Sequence, residues 1–196
     1  HAGERYPRRK VNSLYFDDLD LSSARDNLAG LSNRQKMRLR WYGCDDNSSP
    51  VFEVKVRNDR LVCKKNYPMS SLRHSLLKIN IKDITSECKE EMRKQEVIFD
   101  AHLISTLQIC YDRSYYEDLN GIRITIDQNI KYYCSLPHQK LNESISIPCQ
   151  YNVLEVKFDR NLKTTVEKLI KPLHIAPKRH SKYLVGLSMF GYVVYV

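Results

Sequence analysis

The sequence has 196 residues, with 32 Lys plus Arg against 23 Asp plus Glu, so its formal net charge at pH 7 is +9. That length suits one domain, a 42% hydrophobic content excludes disorder as the general state, and the excess of cations makes an anion the natural partner. Thirteen Tyr, only six Gly and no Rossmann or P-loop glycine pattern point toward strands and away from a glycine-rich phosphate loop.

Val11 to Phe16 is rich in strand formers and ends in Asp17-Asp18, the chemistry that caps a helix. A short helix is expected over Leu19 to Leu28, with Gly30 near its C-terminal cap. Gln35 to Tyr42 alternates Met37, Leu39 and Trp41 with Lys36, Arg38, Arg40 and Tyr42, and Val51 to Arg57 alternates Phe52, Val54 and Val56 with Glu53, Lys55 and Arg57. Both patterns are those of half-apolar strands, joined as an antiparallel hairpin across the turn-rich Gly43 to Pro50. Leu61 to Tyr67 follows as a third strand after the turn Asn58 to Arg60. The spacing then becomes helical over Ser70 to Lys78 and Glu87 to Leu107, which predicts a helical insertion around 70–107. Strands return at Gln108 to Tyr116, at Ile122 to Tyr132 beyond the Asn120-Gly121 turn, and at Tyr151 to Phe158, with a polar loop over Ser135 to Pro148. Thr164 to Ile170 reads as a helix, and another is expected from Ala176 or Pro177 onward. Strands, helices, strands and helices in this order imply an α+β fold on an antiparallel sheet, one domain spanning 1–196.

The six Cys stand singly, without CxxC spacing, which argues against zinc ribbons and redox dithiols and for buried, reduced thiols. No secretory signal opens the chain, so a cytoplasmic location is expected and the sequons at Asn47 and Asn142 carry no weight. The apolar tail Tyr183 to Val196 has fourteen residues, short of the roughly 18–20 that cross a bilayer, and is expected to be buried structure.

Charge gathers on the faces opposite the apolar ones. Arg38 and Arg40 share one face; Glu53, Lys55 and Arg57 another; Arg123, Thr125 and Asp127 a third; Glu155 and Lys157 a fourth. Strand by strand, a solvated outer face explains such charges. Together, the repeated Arg-x-Arg and Glu-x-Lys suit anion recognition, because the planar guanidinium fork matches phosphate oxygens. If the sheet curls with its charged face inward, the crowded cations call for a polyanion, and the fewer carboxylates for a divalent metal that bridges phosphates.

Several segments resemble the vacuolar transporter chaperone (VTC) domain, especially its bacterial stand-alone form. They are Val11-Asn12-Ser13-Leu14-Tyr15-Phe16-Asp17, Arg25-Asp26-Asn27 to Gly30, Arg34 to Gly43, Phe52-Glu53-Val54-Lys55, Tyr111-Asp112-Arg113, Gly121 to Asp127, Leu154 to Phe158 and His180-Ser181-Lys182-Tyr183. They run in the family's order over essentially the whole chain. The resemblance implies a triphosphate tunnel fold of the CYTH-like superfamily, an antiparallel β-barrel with helices packed around it. It also implies polyphosphate polymerase activity with ATP and inorganic polyphosphate as partners, Mn²⁺ or Mg²⁺ as cofactor, and no nucleic acid. By motif, Arg38, Arg40, Lys55, Arg123, Lys157 and Lys182 take the catalytic role. Lys36, Arg57, Arg113 and Lys64 bind phosphate, with Lys65 competing for the place of Lys64. Glu155 takes the metal, and Glu53 either joins it or pairs with a neighbouring Arg. Family members begin with a further charged strand and helix, so a barrel open at one seam and short of one tunnel lysine is expected here.

Three rivals remain. A tunnel-fold triphosphatase or cyclase would need more glutamates, for two metals and a water nucleophile. A non-catalytic polyphosphate-binding module would have no use for Glu155. A single-strand nucleic-acid binder would suit the charge and the tyrosines but lacks the glycine-aromatic sheet signature of an RNA-recognition motif.

Overall fold

The computed structural model describes residues 2–44, 48–59, 61–97 and 102–195. Strand β1 (Gly3–Asp17) is the spine of an antiparallel sheet. Its Val11–Phe16 half pairs with β2 (Arg34–Tyr42), which pairs with β3 (Val51–Asn58) and then β4 (Leu61–Pro68). Its other edge pairs along its length with β5 (Ile104–Glu117), and β5 with β6 (Arg123–Cys134). Beyond β6 the sheet divides: β7 (Ser146–Pro148) takes residues 131–133, and β8 (Val153–Lys157) takes Arg123–Asp127. Among the described residues β4 and β8 are not paired with each other, so the eight-stranded sheet curls without closing. The fold is α+β with an antiparallel sheet, and the seam lies between those two strands.

Each face of the sheet has its own core. On one, Leu14, Phe16, Met37, Leu39, Trp41, Phe52 and Val54 pack against Leu72, Leu76 and the apolar side of α2 (Ile81–Lys94). On the other, Val11, Tyr15, Leu107, Ile109, Tyr111, Ile130 and Tyr132 pack against α4 (Lys182–Met189) and Ala24 of α1 (Ser22–Leu28). The period-two alternation of β1 and β2 requires such a division, and it puts α4 on the same face as the arginines. Helix α3 (Lys163–Ile170) contributes Val166 to the interior. Asp17 fastens the helices to β1. Its carboxylate accepts from the backbone N–H groups of Asp18, Ser23 and Ala24 and from the Tyr183 hydroxyl at 2.9–3.0 Å.

Several elements differ from the sequence expectation. β1 begins at Gly3, because residues 3–10 need only one hydrogen-bonded edge; that tolerates Pro7, and the register shifts around it. Ser70 to Lys78 forms a 3₁₀ turn and further turns, where a helix was expected, and α2 is displaced from Glu87–Leu107 to Ile81–Lys94. Ile104 to Leu107 instead extends β5, since Leu107 is needed in the core beneath α4. The 135–148 loop contains the short β7. The last helix starts at Lys182, past Pro177, where the Ser181 side chain accepts from the Leu184 N–H. All six thiols are free, but only Cys88 and Cys110 are buried, while Cys44 and Cys63 are exposed. Cys63 lies on β4, whose edge position leaves most of its side chains in solvent. The tail is buried through Leu187, whereas Tyr192 and Val194 are exposed. Among the described residues no helix is long and apolar enough to cross a membrane. The turn residues 45–47 and 60, the helical expectation at 98–101 and the terminal Val196 lie outside the described residues.

Candidate active site

Register decides which charges meet. Arg38 stands opposite Glu53 and Tyr15, Arg40 opposite Ser13, and Lys36 opposite Lys55, which in turn faces Lys64. Lys65 pairs with Val54 and so belongs to the opposite, apolar face. On the far wall Asp127 stands opposite Arg113, Thr125 opposite Glu155, and Arg123 opposite Lys157.

Two carboxylates organise this face. Glu53 accepts from Arg38 Nε at 2.6 Å and from Lys64 Nζ at 2.6 Å, with Arg40 Nη1 3.8 Å away. Burial would push the Glu53 carboxyl up, but Arg38, Arg40 and Lys64 hold it below the usual range. Asp127, 0% exposed, accepts from Arg113 Nε at 2.5 Å and Nη2 at 2.8 Å, and its Oδ2 lies 2.5 Å from Lys182 Nζ. It too is held low against the effect of burial, by Arg113 and Lys182. Glu53 therefore sits in an ion-pair cluster, with both oxygens bonded to cations.

Glu155 differs. Its side chain is 44% exposed, with Lys157 at 3.3 Å and Arg113 at 4.0 Å. Thr125, opposite it in register, has a buried hydroxyl without a hydrogen-bond partner among the described residues. One accessible carboxylate beside an unused hydroxyl fits a hard cation that takes its other ligands from phosphates and water. Among the described residues no cluster of three or more His, Cys, Asp or Glu forms a self-sufficient metal cage.

Hydroxyls and backbone orient the remaining cations. Arg38 Nη1 donates to Tyr15 Oη at 2.9 Å, Arg40 Nη2 to Tyr111 Oη at 3.3 Å, and Lys36 Nζ to Ser181 Oγ at 3.1 Å. Burial would raise the Tyr15 phenol, yet Arg38, Arg40 and Lys36 bring it down to about 8. Burial pulls the Lys36 ammonium down to about 8 against the attraction of Tyr15, with Lys55, Arg34 and Arg38 adding repulsion. Lys55 is also lowered, by burial and then by Lys157, a like charge across the seam. Two expected site residues stand apart: Arg57, expected on phosphate, donates from Nε to the Asp59 carbonyl of its own hairpin at 2.8 Å, and Arg123, expected in the catalytic role, is exposed. Burial and Lys182 lower the His180 imidazole, and among the described residues no hydrogen bond fixes its ring.

Sequence reasoning placed Asp127 on the right face without assigning it a role, and passed over Tyr15, Tyr111, Ser13 and Ser181. Their alternation with Leu14, Cys110 and other inward or outward neighbours is visible in the strings. Their partners come from distant strands, so no local spacing reveals them.

The VTC domain family model matches residues 4–190. No curated protein matches the sequence. Among solved structures, the PH1819 protein from Pyrococcus horikoshii OT3 is similar with a TM-score of 0.50 at 9% identity, over 96% of this chain and 88% of that one. A putative adenylyl cyclase from Hippeastrum, described as having a dominant triphosphatase activity, is similar with a TM-score of 0.51 at 15% identity, over 97% and 86% of the two chains. At these identities the likeness is one of fold.

Proposed function

Since the chain belongs to the VTC domain family, we propose that it is a polyphosphate polymerase, transferring the γ-phosphate of ATP to the end of a growing inorganic polyphosphate chain. The observation that carries this reading is the inventory of the charged face. Arg38, Arg40, Lys36, Lys55, Lys64, Arg113, Lys157 and Lys182 share one face with three carboxylates, each already paired with at least one cation. Such a surface has a large uncompensated charge and suits a polyanion.

In this reading Arg38, Arg40, Lys55, Lys157 and Lys182 hold the triphosphate and neutralise charge on the γ-phosphoryl group as it transfers. Lys36, Lys64 and Arg113 grip the flanking phosphates, and Arg57 and Arg123 act at the margins. Glu155 and Thr125 would hold Mn²⁺ or Mg²⁺, which when bound supplies further neutralisation of phosphate oxygens. The acceptor, a terminal phosphate, is anionic at neutral pH and needs no general base. Catalysis then rests on in-line positioning and electrostatic stabilisation. Hydrolysis through two metals would need a second accessible carboxylate, and Glu53 and Asp127 are both buried against cations, whereas Glu155, though paired with Lys157, is partly exposed. A cytoplasmic location, where ATP is abundant, belongs to the same proposal.

The test is incubation of purified protein with ATP and Mn²⁺, with and without a short polyphosphate primer, followed by gel staining for polymer and assays for ADP and free phosphate. Polymer with stoichiometric ADP is expected. Free phosphate without polymer would replace the proposal with a triphosphatase, and tight polyphosphate binding without either product would replace it with a binding module.

A further inference from the structure

Asp127 of β6 ties together two further elements of the charged face. Its carboxylate holds Arg113 of β5 through both oxygens and Lys182 of the first turn of α4 through one. Those two cations also share the ring of Tyr111, at 5.2 and 5.0 Å from its centroid. The Nε and Nη2 edge of Arg113 is spent on Asp127, while among the described residues Nη1 has no hydrogen-bond partner. The Lys182 ammonium has three donors, of which Asp127 uses one side. Asp127 itself is fully buried beneath the pair.

We propose that Asp127 is a positioning residue: without touching phosphate, it fixes Arg113 and Lys182 side by side as a two-cation clamp, Lys182 on the transferring phosphoryl group and Arg113 on the phosphate next to it. The inference rests on the polymerase reading above. Two like charges at this separation repel, and a shared anion behind them is what lets both point forward from fixed positions. The same carboxylate subtracts one unit from the attraction that draws a polyanion in. Removing its charge therefore loosens the clamp while making the site more cationic, so binding and turnover should move apart.

The test compares wild type with the near-isosteric Asp127→Asn by calorimetric titration of tripolyphosphate and by steady-state polymer synthesis. The expected result is a dissociation constant equal to or below that of wild type at low salt, with kcat reduced about 100-fold, the cost of a misplaced catalytic group. Asp127→Glu, which restores the charge, should recover part of the loss, and it takes the place of the asparagine variant if that fails to fold. In the Lys182→Met background, Asp127→Asn should cost little more. Unchanged kcat, additive losses, or binding and kcat weakening together would overturn the proposal, as would recovery of kcat at high Mn²⁺, the mark of a metal ligand. The Arg113 Nε–H resonance gives a readout independent of activity: it should be slowly exchanging in wild type and lost in Asp127→Asn, and its retention would also overturn the proposal. A wild type that neither binds tripolyphosphate nor turns over ATP defeats the polymerase reading, while that resonance still decides whether Asp127 orders the pair.

Discussion

Gly186 lies in the middle of α4, where Gly→Ala ordinarily stabilises a helix by about 1 kcal/mol. Here the sign should reverse. A Cβ at this position would come within 2.5 Å of Leu107 Cδ2 and 2.5 Å of Tyr132 Cδ1, more than 1 Å inside the usual ~3.5–4.0 Å carbon contact. Leu107 and Tyr132 are both 0% exposed, so neither can swing into solvent. Overpacking of this kind costs about 1–3 kcal/mol, and two simultaneous clashes place Gly186→Ala toward the upper end. After the helix-propensity gain, a net loss on the order of 2 kcal/mol remains. For a chain of this size that corresponds to a Tm lowered by about 4–8 °C. The relief available to the protein is to lift α4 from the sheet, which would carry Ser181 and Lys182 away from Lys36 and Asp127, so tripolyphosphate binding should weaken as well. Thermal unfolding by circular dichroism, with calorimetry on the same samples, provides the measurement. Gly3→Ala, with nothing within 4 Å of its added Cβ, is the control. A Gly186→Ala protein that melts higher than wild type would show that close packing of α4 against Leu107 and Tyr132 does not fix its position.

Other consequences can be checked with the same preparations. Asp17→Ala removes the acceptor of three backbone N–H groups and the Tyr183 hydroxyl in a buried setting, and denaturant unfolding should show a loss on the order of 3 kcal/mol; a change below about 0.5 kcal/mol would mean that solvent replaces it. Arg38→Ala and Lys157→Ala should each lower turnover by about 100-fold or more with the fold retained, and wild-type rates in either would remove that residue from the site. As pH rises through about 8, Lys36 loses a positive charge and Tyr15 gains a negative one, so the face becomes less cationic by two units and polyphosphate affinity should fall. Tyr15→Phe should abolish part of that fall, and an affinity flat from pH 7 to 10 would contradict it. Stability runs the other way. The low folded pKa of Lys36 penalises its charged form below pH 8, and that of Tyr15 favours its ionised form above it; both therefore add stability as pH rises from about 8 toward 10.

The strands flanking the site were legible because one face of each is buried, which forces the alternation that names both the core residue and the charged neighbour. Met37, Leu39 and Trp41 announced Arg38 and Arg40 in this way, and the same parity put Lys55 with Glu53. What the string could not hold was depth. Lys64 and Lys65 are equivalent as letters, and only the pairing with Lys55 or Val54 separates them. Asp127 and Glu155 look alike as acids at alternating positions, yet one is sealed under two cations and the other is open. The helices were read less well, because their ends depend on what the neighbouring strands require: β5 claims Leu107 for the core under α4, and α4 itself lies on the charged face, with Ser181 at its cap beside Lys36. An amphipathic pattern says that one side of a helix is buried, not which face of a sheet receives it.

A ring of strands closed by hydrogen bonds admits a polymer only by its end. Among the described residues β4 and β8 are not paired with each other, and such edges impose no such rule. Under the polymerase proposal, a polyphosphate on the charged face would meet two strand edges there that are not hydrogen-bonded to each other. Lys55 of β3 and Lys157 of β8 face each other across that seam, like charges that repel when nothing lies between them and that an anion lying across both would screen.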